Sequence, residues 1–344
     1  MSFWANLPDD AAHLSGAYAH ELVSLCGRWG VTAQALLEGT GQTLEALKDP
    51  TARLPLDDCA TLVERARRLT GEPALAFSMG LHMRLSWHGF LGFAAMTAGT
   101  VREALDLAER FSLTRTSAFG ISTYVEGERG ALVLEERVPL GGLREFAVIA
   151  LLVGIARIAR EVTGQTVPGL AECAFPEPDY ARALMARVGA SQGGPMRFDA
   201  PAHRLVFDAS VLDLPLVSAD PSAMQLARAQ CDRELAAIAE AGSFLGRVRA
   251  ALHGGAGRTR SVDEVARRLH LSTRTLKRRL AEHGASFSEV RDEVRRQRAL
   301  LLLADRRVGL GEIADRLGYS DLANFTRAFR RWTGQTPAAY RDRA

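Results

Sequence analysis

Hydrophobic positions recur at helical spacing through the first third of the chain, so residues 13–113 read mainly as helix. In "LDDCATLVERARRLTG" Leu56, Ala60, Val63, Ala66 and Leu69 fall near one face, and Gly71 supplies a stop. "TVREALDLAERFSL" repeats the pattern through Val101, Leu105 and Ala108, with Thr100 as N-cap and Glu103 completing a capping box. Beyond it the period shortens. "ISTYVE" and "ALVLEE" are β-prone runs separated by "GERG", a hairpin signal. A long apolar helix is predicted over Leu143–Val162, a shorter one over Asp179–Val188, and a strand over His203–Asp208. Helices with a few strands predict an α+β fold for this part. Two prolines in "LDLPLVSADPS" (Leu212–Ser222) break the pattern and mark a boundary. "AMQLARAQCDRELAAIAEA" then reads as a connecting helix, and "HGGAGRTR" (His253–Arg260) as a flexible hinge. The predicted division is an α+β domain over 1–220, a connecting helix and hinge over 221–257, and an all-α domain over 258–344.

The last segment carries an internal repeat. "SVDEVARRLHLS" and "GLGEIADRLGYS" match at Glu264/Glu312, Val265/Ile313, Ala266/Ala314, Arg268/Arg316, Leu269/Leu317 and Ser272/Ser320, every pair 48 residues apart. Past the turn the offset becomes 49, at Leu276/Phe325, Arg278/Arg327 and Leu280/Phe329. Each copy reads as a short helix, a tight turn and a second helix. Ser261 with Glu264 forms a capping box, Ser272 caps the helix after it, and either Ser320 or Asp321 caps its counterpart. On a wheel of about 100° per residue, Leu276 and Leu280 define a buried side; Arg274 and Arg278 lie nearly opposite, flanked by Lys277. In "LANFTRAFRRWTG" Leu322, Phe325, Phe329 and Trp332 cluster likewise. Ala323, Arg327 and Arg330 lie opposite, with Asn324 and Arg331 on the flank. A small helical core thus presents one cationic helical face, and does so twice. That is the layout of a helix-turn-helix unit, whose second helix enters the major groove and reaches base edges with its N-terminal half. Arginine donates two hydrogen bonds to guanine O6 and N7, and asparagine pairs with adenine N6 and N7.

Charge strengthens this picture. From Ala256 to the end there are 20 Lys and Arg against 11 Asp and Glu, a balance of +9, whereas the preceding 255 residues carry −6. A basic module that meets a polyanion is joined to one that does not. Cys26, Cys59, Cys173 and Cys231 form no CxxC pair and read as reduced, buried thiols. "MSFWANLPDD" lacks a basic segment followed by an apolar one, and the most apolar run, Phe146–Ala156, is eleven residues, short of the roughly 20 that span a bilayer. A cytoplasmic protein that contacts no membrane is expected. His82 and His88, six apart, share no helix face, so no metal site is expected, and no cofactor. A DNA-repair alkyl transferase would need a cysteine in a Pro-Cys-His-Arg setting, which is absent. A metabolic enzyme fused to a helix-turn-helix module would need a phosphate loop, nucleophile elbow or HExxH helix, and none is found.

Ser261–Arg341 resembles the DNA-binding domain of AraC/XylS-type transcription regulators. The tandem units carry the resemblance, with "RRQRALLLL" on the linking helix (Phe287–Leu303), "IADRLGYSDLANFTRAFRRWTGQTPAAYR", and the ending Gly334, Pro337, Tyr340, Arg341. It implies that one monomer's two recognition helices enter successive major-groove segments of double-stranded DNA. Carried onto this chain, the base-facing positions are Arg274, Lys277 and Arg278, then Ala323, Asn324 and Arg327, where Ala323 offers at most a methyl contact. Ser272, Thr273, Arg330 and Arg331 are the expected phosphate contacts. Further upstream, "RLSWHGFLGFAAMTAGTVREALDLAERF" is similar to the N-terminal domain of a subgroup typified by ornithine-utilisation regulators, "HGFLGF" being its best local match. This implies a domain that binds a small effector, a homodimer, and RNA polymerase as a further partner. Trp87, His88 and Arg115 form the candidate pocket, since an aromatic, an imidazole and a cation suit a small acid or amino acid. The plainer alternative places Trp87 in the core, His88 in a turn and Arg115 on the surface. The sequence therefore predicts a non-enzymatic, effector-responsive, sequence-specific transcription regulator.

Overall fold

The computed structural model describes residues 12–49, 51–182, 195–252, 259–304, 306 and 308–343. Most of the predicted hinge, the second half of the helix predicted at 179–188, and "MSFWANLPDD" lie outside the described residues. The chain forms two compact units, 1–235 and 236–344.

In the first unit, β1 (His13–Ser15) pairs antiparallel with β2 (Arg53–Pro55), around α1 (Gly16–Cys26), α2 (Ala33–Leu37) and α3 (Leu44–Leu47). Next come α4 (Leu56–Thr70), α5 (Leu75–His82), α6 (Gly89–Thr97) and α7 (Val101–Phe111). The expected hairpin is longer than its β-prone runs: β3 (Phe119–Glu126) and β4 (Arg129–Glu136) close on a two-residue turn with Glu126 opposite Arg129. α8 (Arg144–Thr163), β5 (Gly169–Glu172), β6 (Met196–Arg197) and β7 (His203–Asp208) follow. Apart from the β1–β2 pair, the described strands make one sheet, ordered β3-β4-β7-β5-β6, antiparallel except between β5 and β6. Leu132, Leu134 and Leu205 of the sheet pack with Ile149 and Leu152 of α8 in the main core.

Two local expectations shift. On α4 the buried residues are Cys59, Leu62, Val63 and Ala66, leaving Leu69 39% exposed. At α7, Thr100 Oγ1 accepts from Glu103 N at 3.3 Å, but the Glu103 carboxylate accepts from Gly99 N at 2.7 Å, one residue beyond the expected partner. The expected box is half made, with Thr100 held in a β-bridge to Pro215.

The segment expected to be a connecting helix and hinge holds two helices that serve different cores. α9 (Pro221–Gly242) packs Met224, Ala227 and Cys231 against Leu91, Leu107 and Phe111 of the first unit. α10 (Phe244–Leu252) gives Val248, Ala251 and Leu252 to the second.

Among the described residues the elements of the second unit are helices: α10, α11 (Val262–Arg268), α12 (Thr273–Glu282), α13 (Phe287–Ala304), α14 (Leu310–Arg316), α15 (Leu322–Thr333) and α16 (Pro337–Arg343). It holds two small cores. Val265, Ala266, Leu276 and Leu280 meet Val290 and Val294 in one, and Ile313, Ala314, Phe325 and Phe329 meet Ala299 and Leu303 in the other. α13 thus joins the copies by contributing one half to each core. The capping box of Ser261 and Glu264 is complete, and Ser286 with Glu289 makes a second at the start of α13.

The turn between α11 and α12 places His270 at φ 52°, and the equivalent turn of the second copy places Gly318 at φ 77°. Left-handed backbone suits glycine and costs other residues of order 1 kcal/mol. His270→Gly is therefore expected to stabilise this unit by up to about 1 kcal/mol, and Gly318→His to destabilise it by a similar amount. Urea unfolding of the two variants checks this; midpoints moving together in one direction would contradict it.

Candidate nucleic-acid interface and candidate effector cavity

Each recognition candidate is fixed by its own cap. At α12, Ser272 Oγ accepts from Thr275 N at 3.1 Å, and Thr273 Oγ1 donates to Asp263 Oδ1 of α11 at 3.0 Å. Both hydroxyls expected at phosphates thus already hold the start of the helix. Leu276 and Leu280 are fully buried, while Arg274, Lys277 and Arg278 are exposed. Arg278 pairs with Glu282 one turn on. An exposed pair of this kind is weak and yields to a stronger anion.

On α15 the cap is Asp321, whose carboxylate accepts from Asn324 N at 2.7 Å. The Asn324 amide donates to Asp321 Oδ2 at 2.6 Å and Ser320 Oγ at 2.8 Å, and its oxygen accepts from Arg327 Nη2 at 2.5 Å. This relay sets the Arg327 guanidinium on the exposed face and engages both ends of the Asn324 amide, so Asn324 positions Arg327 as well as facing solvent itself. Arg330 is exposed, and Arg331 reaches Asp292 on α13 at 2.6 Å. Leu322, expected on the buried side, is instead 42% exposed. The buried arc of α15 is Phe325, Ala328 and Phe329, and Leu322 in the first turn lies at its margin. With exposed Ala323 it gives the cationic face an apolar start.

Within the first unit lies a cavity of about 150 Å³. Its lining is mostly carbon, from residues such as Leu91, Leu105, Ile121, Leu134, Ile155 and Val162. The polar groups gather around Tyr18, His88, Ser112, Arg115 and Thr116. Tyr18 Oη and His88 Nδ1 share a hydrogen bond of 2.8 Å. Burial, reinforced by the Arg115 charge, pushes the imidazole down to about 4, so it is neutral at neutral pH. Burial pushes the Tyr18 phenol up to about 12, so it keeps its proton. Arg115 is buried, donating from Nη2 to Glu234 Oε2 of α9 at 2.7 Å and from Nε to Thr114 Oγ1 at 3.3 Å. A smaller cavity of about 80 Å³ shares Tyr18, Thr116, Phe119 and Leu151 with the first.

His88 and Arg115 thus meet at one cavity, but Trp87 does not line it. Residues Leu85–His88 form a 3₁₀ turn, in which positions three apart eclipse. Leu85 and His88 therefore face the cavity together, and Trp87 is turned into the main core. The sequence reading missed Tyr18 and Glu234. The available signal was Arg115 itself, the one charged residue between Arg110 and Glu126, because a lone charge that becomes buried needs a partner.

The glycines of "HGFLGF" form part of this geometry. Gly89 has φ 58°, and a Cβ there would lie 2.6 Å from Arg115 Nη1. A Cβ on Gly92 would lie 1.8 Å from the Leu85 carbonyl oxygen. Gly92→Ala is therefore expected to cost about 1–3 kcal/mol by forcing α6 away from the 3₁₀ turn. Calorimetric unfolding of the full chain reads this, and an unshifted first unit would refute the contact.

All four cysteines are buried, and burial pushes their thiols up, to about 11 for Cys26 and Cys231 and about 12 for Cys59 and Cys173. An activated thiol nucleophile requires the opposite shift. Among the described residues no helix is long and apolar enough to cross a membrane, and no group of three or more His, Cys, Asp and Glu is placed to hold a metal ion.

Comparison with known proteins adds the following. Residues 30–216 match the arabinose-binding N-terminal domain of AraC transcription regulators, and residues 265–343 match a helix-turn-helix domain. The ornithine utilization regulator of Pseudomonas aeruginosa is 33% identical over 327 residues, 95% of each chain. An uncharacterised helix-turn-helix transcriptional regulator of Mycobacterium tuberculosis is 29% identical over 98% of this chain and 99% of its own. The crystal structure of the transcriptional regulator CdpR from Pseudomonas aeruginosa aligns over 83% of this chain and 96% of that one, with 27% identity and a TM-score of 0.40.

Proposed function

We propose, from the premise that this chain belongs to the AraC family of effector-responsive, DNA-binding transcription regulators, that α12 and α15 read two successive major-groove segments. The observation that carries this is the duplicated cationic face, each copy standing opposite its own buried core and started by its own side-chain cap. Arg274, Lys277 and Arg278 face bases from α12, and Arg327 does so from α15, positioned by Asn324. Ala323 and Leu322 suit a thymine methyl. Arg330 meets phosphate, and Arg331 joins it when Asp292 releases it. The protein acts by binding rather than catalysis, in the cytoplasm, as a homodimer that contacts RNA polymerase.

The cavity around Tyr18, His88 and Arg115 is the effector site in this reading. Arabinose and ornithine are named by the matched family and by one relative, and the lining supports neither. Sugar hydroxyls need polar partners all round, whereas here these gather around a single cluster. Ornithine brings two ammonium groups to a lining without a carboxylate. Selection of bound duplexes from a random-sequence library tests the DNA reading. Two clusters of preferred bases about one helical turn apart are expected, with Arg278→Ala blurring one and Arg327→Ala the other. A single cluster that neither variant alters would overturn the assignment.

A further inference from the structure

We propose that the cavity takes a hydrophobic molecule ending in one carboxylate, and that this carboxylate replaces Glu234 on Arg115. The proposal rests on the effector-site reading of the cavity and names its ligand class. The wall of Leu91, Leu105, Ile121, Leu134, Ile155 and Val162 offers a ligand only apolar contact, so most of the ligand is hydrocarbon. About 150 Å³ is the size of cavity that takes up benzene, so the ligand is small, on the order of ten non-hydrogen atoms or fewer. The polar cluster decides the head group. Arg115 supplies fixed donors and Tyr18 a protonated hydroxyl, with His88 neutral beside them, while the Ser112 and Thr116 hydroxyls donate to the Glu109 and His13 carbonyls. These groups stabilise an anion and give an ammonium group no counter-charge.

Arg115 is occupied by Glu234, and that bond makes the site responsive. The Arg115 side chain is only 5% exposed, whereas that of Glu234 is 22% exposed, so of the two it is the carboxylate that can turn to water. Two carboxylates on the Arg115 guanidinium would repel one another, and Arg53, the other cation near this cluster, donates to the Ala52 and Thr114 carbonyls, so a ligand carboxylate displaces Glu234 rather than joining it. Glu234 lies on α9, one residue before the end of the first unit. Near it α9 is also held by Arg110 to Asp232 at 2.7 Å, an exposed pair. Ligand binding therefore removes the most buried of the ion pairs described on the helix whose chain continues into the DNA-binding unit. An effector acts only through such differential contacts between states.

Calorimetric titration of the full-length protein with octanoate, 1-octanol, L-ornithine and L-arabinose at pH 7.5 tests this. Octanoate is expected to bind, with 1-octanol about tenfold or more weaker, and with no binding of the other two. Glu234→Gln is expected to tighten octanoate severalfold by removing its competitor, a gain that a merely structural role for Glu234 would not produce. Arg115→Gln is expected to reduce octanoate to the affinity of the alcohol. Failure of octanoate to bind, or octanoate affinity unchanged or lowered by Glu234→Gln, overturns the proposal. Binding of ornithine or arabinose in place of octanoate, abolished by filling the cavity with Ala108→Phe, overturns the ligand class while leaving the effector site standing. Octanoate binding that Ala108→Phe leaves intact places the ligand elsewhere and overturns the effector-site reading itself.

Discussion

The double variant Arg278→Ala, Arg327→Ala is expected to lose about 2–6 kcal/mol of specific DNA binding, at least roughly thirtyfold in Kd. The two side chains stand on helices packed against different small cores and share no hydrogen-bond partner, so their costs should add. The sharper comparison is with Arg278→Lys, Arg327→Lys. Lysine keeps the charge but lacks the planar fork that grips guanine O6 and N7. If the arginines read bases, the lysine pair should bind random DNA with nearly the wild-type salt dependence, yet discriminate poorly between sequences. If they only neutralise phosphates, it should behave as wild type. Titrations of selected and scrambled duplexes at two salt concentrations separate these outcomes.

The relay on α15 refines that expectation. Asn324 Oδ1 accepts from Arg327 while its amide nitrogen is held by Asp321 and Ser320. A guanidinium already oriented loses less freedom on binding than a mobile one. On α12 the corresponding arginine is tied to Glu282, which lies further along the helix. The two copies therefore present the same side chain with different restraint.

How far the sequence revealed this follows from where the contacts lie. In the second unit the caps, the turn and the buried leucines sit within a dozen residues of one another, so a wheel and a repeat suffice to place Arg278 and Arg327. The wheel fails at Leu322 because it assigns a direction without knowing how far the core extends along the helix. In the first unit the decisive contacts are distant: Tyr18 to His88, and Arg115 to Glu234 across 119 positions. Periodicity holds no record of such pairs. Trp87 falls in the core, as the plainer alternative has it, because four residues of 3₁₀ turn rotate side chains differently from an α-helix. The short strands β1, β2, β5 and β6 escaped notice because two to four residues carry no readable alternation.

The buried imidazole leads to a second large effect. Lowering the pH from 7 to 4 is expected to destabilise the first unit through His88 by about 3 kcal/mol. Unfolded, His88 takes up a proton near its ordinary pKa of 6.5; folded, burial and Arg115 hold it near 4. Above pH 6.5 neither state binds the proton and the group contributes nothing to pH dependence. Between 6.5 and 4 the unfolded state alone is protonated, so stability falls by about 1.4 kcal/mol per pH unit, and below 4 the penalty stays constant. His203, also depressed by burial, and the acidic side chains titrate over an overlapping range, so the comparison is with His88→Asn. That variant keeps a hydrogen-bonding group where Nδ1 meets Tyr18 and has nothing to protonate. Urea unfolding at pH 7 and pH 4.5 should show the wild type losing about 2–3 kcal/mol more than the variant. Equal losses would mean that His88 is protonated in the folded protein despite its burial and the Arg115 charge beside it, and would overturn this expectation.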